Sequence, residues 1–122
     1  MAGMRLGALV LQTRPWDRLA VEFRAIEDTA YDVAYVADHL TVPSLPGQWL
    51  AEPWPVLAAA AAVTRELDLG TLVSSSAFRS PVTLARLAAT TQDVTGGRLV
   101  LGIGAGTVHC ARRRSRRAAD DR

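Results

Sequence analysis

Apolar and polar positions change period several times along this chain, and each change marks an element. Arg5 to Leu11 (RLGALVL) is a nearly continuous apolar run, the pattern of a strand buried on both faces. Pro15 interrupts, and Asp17 can cap the next element. Leu19, Phe23, Ile26 and Ala30 then recur at spacings of three and four, with Arg18, Glu22, Glu27 and Asp28 between them, which predicts an amphipathic helix. Val33 to Ala37 predicts a second strand, ending in Asp38-His39, and Thr41 to Pro53 a loop long enough to be functional. Pro55 to Leu67 is alanine-rich with Val56, Leu57, Val63 and Leu67 at helical spacing, a helix with a small-residue packing face. Asp68 to Ser74 is a third strand, followed by a serine loop. Pro81 opens a third helix that Gly96-Gly97 should stop in the left-handed fashion, and Arg98 to Ile103 is a fourth strand.

The order is βαβαβαβ, with strands too apolar to leave a face in water. Such alternation means an α/β fold on a parallel sheet with right-handed crossovers. With 122 residues there is enough chain for one domain, but less than the roughly 250 of a full (β/α)8 barrel. The longest uncharged apolar stretch, Val56 to Val63, is far too short to span a bilayer, and the first dozen residues show no secretory signal. The single cysteine, Cys110, leaves no internal disulfide framework and fits a reducing, cytoplasmic setting. Charge changes the picture only at one end. All 14 basic residues are arginine; residues 1–110 carry a net of −2 and residues 111–122 a net of +4.

"TGGRLVLGIGAG", residues 95–106, places Gly102, Gly104 and Gly106 after an apolar run. A phosphate loop would need a helix next. The next residues, "TVHCARRRSRRAADDR", have no apolar periodicity, and the three-residue advance of G-x-G-x-x-G is missing. On pattern alone the glycines end a strand and permit close backbone packing. The longer segment "LGTLVSSSAFRSPVTLARLAATTQDVTGGRLVLGIGAG" (69–106) resembles the most characteristic part of the luciferase-like monooxygenase family. The resemblance rests on Gly70-Thr71, Arg79-x-Pro81, Asp93, Gly97-Arg98-Leu99 and Gly102-x-Gly104 together, and extends upstream through "YDVAYVADHL" (31–40) and "QWLAEPWPVLAAAAAVTRELDLGT" (48–71). It implies that residues 1–106 form the N-terminal half, β1-α1-β2-α2-β3-α3-β4, of a (β/α)8 barrel. It also implies an oxidoreductase using coenzyme F420, with FMN as the alternative, on a small-molecule substrate.

In such barrels the reacting groups sit where strands end. The four ends here are Gln12-Thr13, Asp38-His39, Ser74-Ser75-Ser76 and Gly104-Ala105-Gly106. Asp38 and His39 are the candidate catalytic pair, able to position or protonate a ring; the plainer reading is an Asp cap and a backbone-bonded His. Ser74, Ser75 and Gly104 are the candidate cofactor contacts, the serines as hydrogen-bond donors or as an ordinary turn. The resemblance also implies a bulge over Leu72 to Ser74. Arg79 resembles a family-wide arginine whose ordinary role would be pairing with a carboxylate. Trp49 and Trp54 flank Glu52 and could cover a planar substrate or close over a core. His109 and Cys110, adjacent and without further ligands, do not make a metal site.

From Thr107 onward the chain departs from the family pattern. Arginine-heavy, lysine-free sequence suggests a frameshift near codon 107, so residues 107–122 read as an Arg-rich tail outside the fold. A nucleic-acid-binding tail would want interleaved aromatics, which are missing. Half a parallel barrel leaves two edges and apolar faces that a second copy, forming a homo-oligomer, would cover. The expectation is therefore a truncated oxidoreductase, inactive alone. The alternative is a non-catalytic remnant or interaction module that binds no cofactor.

Overall fold

What each stretch buries explains the element it forms. The structure, a computed structural model, describes residues 3–40, 42 and 47–106. The elements run β1 (Gly7–Val10), α1 (Trp16–Glu27), β2 (Val33–Val36), α2 (Pro53–Val63), β3 (Asp68–Ser75), α3 (Pro81–Val94) and β4 (Leu99–Gly104). All strand pairings are parallel and the order in the sheet is β1-β2-β3-β4. This is the α/β order that the sequence predicts. Alternate strand residues point to one face, so Val10, Ala34, Val36 and Leu69 meet Leu19 and Phe23 of α1 and Val56, Leu57 and Ala60 of α2 in one apolar core. Burying Phe23 completely contributes about 1.5–3 kcal/mol.

Several boundaries differ from the sequence reading, each for a local reason. β1 is not buried on both faces: α1 and α2 pack on the face that carries Val10, and Leu9, which points to the other face, is 51% exposed. Asp17 does not cap α1. The carbonyl of Pro15 accepts from the Arg18 and Leu19 amides, and Asp17 lies in the first turn, where its charge suits the helix dipole. Helix α2 starts two residues earlier than expected and stops four earlier. Glu52 is its N-cap, accepting from the Trp54 amide at 2.8 Å, and Pro53 takes a first-turn position that needs no N–H partner. At its other end the backbone turns extended at Thr64. Helix α3 opens as predicted, with Ser80 Oγ accepting from the Thr83 amide, and ends at Gly96 and Gly97, whose φ values are 65° and 90°.

Two side chains hold the helix ends to the sheet. Arg98 donates to the carbonyls of Thr95 (2.8 Å), Leu67 (2.7 Å) and Ala61 (3.3 Å), so one guanidinium serves the C-terminal ends of α2 and α3. Glu27 Oε1 accepts from the amides of Arg65, Glu66 and Leu67 at 2.7–3.1 Å and so fixes the α2–β3 turn. Burial pushes the Glu27 carboxyl up. The three backbone donors, together with Arg98, outweigh that and hold it below the ordinary carboxylate range.

This packing can be probed at two positions. At Gly102 an added Cβ would run into the backbone oxygen of Thr71, which no rotamer change relieves. Gly102→Ala should therefore cost about 1–3 kcal/mol in urea denaturation. Gly3→Ala, where nothing lies within 4 Å, should be neutral. Because its carboxyl is lowered on folding, Glu27 stabilises above the ordinary value of about 4.3 and ceases to as pH falls through its folded value. The stability gap between wild type and Glu27→Gln should thus narrow on acidification; a gap independent of pH would show that the backbone bonds do not favour the carboxylate.

Candidate functional site

The C-terminal ends of the strands are built mostly from buried polar groups. Gln12 is fully buried just past β1; its Nε2 donates to the Ala37 carbonyl and its Oε1 accepts from the Ala37 amide at 3.3 Å. This amide clamp ties the end of β1 to the end of β2. In β3 the register with β4 shifts between Thr71 and Ser74, where the bulge is expected, and the Leu72–Val73 peptide is cis. Leu72 and Val73 are exposed, while Ser74 and Ser75 turn inward and are buried. The Ser76 amide rejoins the ladder by donating to Gly104 O at 2.9 Å.

Asp38 gathers these ends together. It is 3% exposed. Its Oδ2 accepts from Ser74 Oγ at 2.9 Å, the Ser75 amide at 3.0 Å and Arg79 Nη1 at 2.5 Å, and its Oδ1 accepts from Arg79 Nη2 at 3.2 Å. A buried carboxylate is tolerable only with such compensation: removing one partner of a buried pair typically costs about 3–5 kcal/mol. Burial works against charge on Arg79, but its pairing with Asp38 and Glu52 prevails and raises its pKa above the ordinary value.

The five candidate residues are therefore placed unequally. Asp38, Ser74 and Ser75 form one hydrogen-bonded group, and Gly104 pairs in register with Ser75. A side chain at Gly104 would come within 2.5 Å of Val73 Cγ2, so the strand end is packed against the bulge. The Ser74 hydroxyl gives its proton to Asp38, which leaves its oxygen only accepting capacity. His39 is exposed and lines a cavity of about 440 Å³ together with Asp38, Trp49, Glu52, Phe78 and Arg79. Ser74, Ser75 and Gly104 do not line it.

Sequence reasoning did not single out Glu52 as part of this group. Its signal was its place before Pro53, where a carboxylate can cap a helix. Arg79 does pair with carboxylates, as its ordinary role predicts. The two tryptophans divide the alternatives between them. Trp54 is buried in the core, its Nε1 without a partner among the described residues, whereas Trp49 is 69% exposed at the cavity. His109, Cys110 and the whole tail from 107 lie outside the described residues. Among the described residues no group of three His, Cys, Asp or Glu side chains could hold a metal ion, and no helix is long and apolar enough to cross a membrane.

The chain is 37% identical over 106 residues to an F420-dependent glucose-6-phosphate dehydrogenase of Beutenbergia cavernae, covering 84% of this chain and 31% of that protein. The fold matches the coenzyme F420 dependent tetrahydromethanopterin reductase of Methanopyrus kandleri with a TM-score of 0.78 at 24% identity, over 93% of this chain and 30% of that one. It also matches the oxygenating constituent of 3,6-diketocamphane monooxygenase from Pseudomonas putida, solved with FMN, with a TM-score of 0.71 at 22% identity, over 87% and 31% of the two chains. The chain spans about a third of the length of the curated relatives it matches. The sequence model of the luciferase-like monooxygenases matches residues 2–122, and the chain belongs to that family.

Proposed function

We propose that this chain supplies the F420-binding strand ends of an oxidoreductase, with the cavity beside His39 taking part of F420 as well as the substrate. The observation that carries the reading is the convergence of Asp38, Ser74, Ser75 and Gly104 at one end of the sheet, next to a cavity with polar and aromatic walls. A cavity of about 440 Å³ falls in the range of small-molecule sites. The residues present also suit a flat heteroaromatic group. The bulge exposes Leu72 and Val73 as an apolar surface, and Gly104, having no side chain, makes room for Val73 against the strand end. F420 is favoured over FMN because the relative at 37% identity is an F420-dependent enzyme, whereas the FMN-bound monooxygenase shares only the fold.

The roles divide by exposure. When bound, F420 would accept or deliver a hydride; FMN in its place would in its reduced form serve monooxygenation. His39, exposed at the cavity, can move a proton at either ring nitrogen and is the residue in reach of a substrate. Asp38 completes the pair as the buried partner, orienting Ser74 and Ser75 and holding Arg79. Leu72, Val73 and the Ser74–Ser75 backbone, beside Gly104, would bear the ring.

Titrating the full chain with F420 and with FMN, followed by their fluorescence, tests this reading. The expected result is stoichiometric F420 binding, tighter than FMN binding, and weakened about tenfold in His39→Ala, a change of about 1.4 kcal/mol. Binding of neither would favour the alternative, a member of the family that does not bind cofactor. Equal affinity in His39→Ala would remove His39 from the site.

A further inference from the structure

Arg79 reaches three segments at once. It immediately precedes Ser80, the N-cap of α3. Its Nη1 and Nη2 fork onto Asp38 at the end of β2, at 2.5 and 3.2 Å, and Nη2 also donates to Glu52 Oε1. The other oxygen of Glu52 caps α2 through the Trp54 amide at 2.8 Å. Through Asp38 the same guanidinium is linked to Ser74 and Ser75 at the end of β3. The Arg79 side chain is only 13% exposed, and Asp38, Glu52 and Arg79 all line the cavity. Two walls of that cavity, Asp38-His39 and Glu52-Pro53, are therefore joined through one planar group.

We infer that Arg79 is the positioning residue of this cavity: the fork of its guanidinium, and not its charge alone, sets the spacing of the two walls before any ligand arrives. Neutralising Asp38 would need only a cation, and a lysine ammonium would serve. Holding Asp38 by two nitrogens while donating to Glu52 needs a rigid planar donor set, which lysine lacks. A preformed cavity in turn avoids ordering its walls at the moment of binding. The inference rests on the reading that the cavity belongs to an F420 site, so its test carries one readout that involves no cofactor.

Three variants of the full chain separate the roles: Arg79→Lys, Arg79→Gln, and the double variant Asp38→Asn/Arg79→Gln. Arg79→Gln should lower Tm, and the double variant should recover much of that loss, because no buried charge is left alone. Both Arg79→Lys and the double variant should bind F420 about tenfold more weakly than wild type, or worse. Wild-type affinity in either would overturn the inference, leaving Arg79 as a counter-charge only. If the wild-type chain binds neither F420 nor FMN, the functional reading fails, and Trp54 then decides this one. With Trp16→Phe and Trp49→Phe as background, Trp54 is the single indole, 3% exposed and next to the capped turn. Acrylamide quenching of Trp54 should increase in Arg79→Lys as Glu52 is released. Unchanged quenching there would overturn the inference.

Discussion

The rest of the site depends on one constraint: a carboxylate, Asp38, is almost entirely withdrawn from water, at 3% exposure. Burying such a group is costly unless the protein supplies donors in place of the lost hydration. The chain supplies four hydrogen bonds, from a hydroxyl, a backbone amide and both ends of a guanidinium fork. Each donor comes from a segment beyond β2, so satisfying one carboxylate also registers β3 and the start of α3 against β2. Arg79 carries the arrangement on to Glu52 and thus to the first turn of α2. The bulge in β3 fits the same requirement. By shifting register after Thr71 it turns Ser74 and Ser75 inward, where Asp38 needs donors, and leaves Leu72 and Val73 outward.

Architecture was legible in the sequence because the apolar periods are strong and their punctuation is explicit. Helix α3 is the clearest case: Ser80-Pro81 opens it and two glycines with positive φ close it, each for a local stereochemical reason. The limits of α2 were harder to read. A helix apolar nearly all round offers no face to follow, and its true start depends on a capping carboxylate that also answers to Arg79. The exposure of Leu9 was equally hidden, since an apolar run does not tell whether one face of its strand is covered or both.

At the strand ends, sequence pointed to candidate residues but not to the partners they meet. Asp38 and Arg79 lie 41 positions apart, and no local spacing reports that they meet. The polarity of Ser74 was likewise beyond reach, because whether a hydroxyl donates to a ligand depends on what has already taken its proton. Fold and family therefore come from pattern, whereas the burial of Asp38 and the exposure of His39 are read only in three dimensions.

The most direct test of Asp38 as the organising group is native-state hydrogen exchange at the Ser75 amide, whose acceptor is the Asp38 carboxylate at 3.0 Å. The amide of Leu69, bonded to Arg98 O at 2.9 Å in the same strand, serves as the internal standard for the core. Ser75 should be protected in the wild-type chain, and Asp38→Ala should remove this protection while Leu69 keeps its own. Rapid exchange at Ser75 in the wild type, or protection that survives Asp38→Ala, would contradict the claim that the buried carboxylate organises the strand ends.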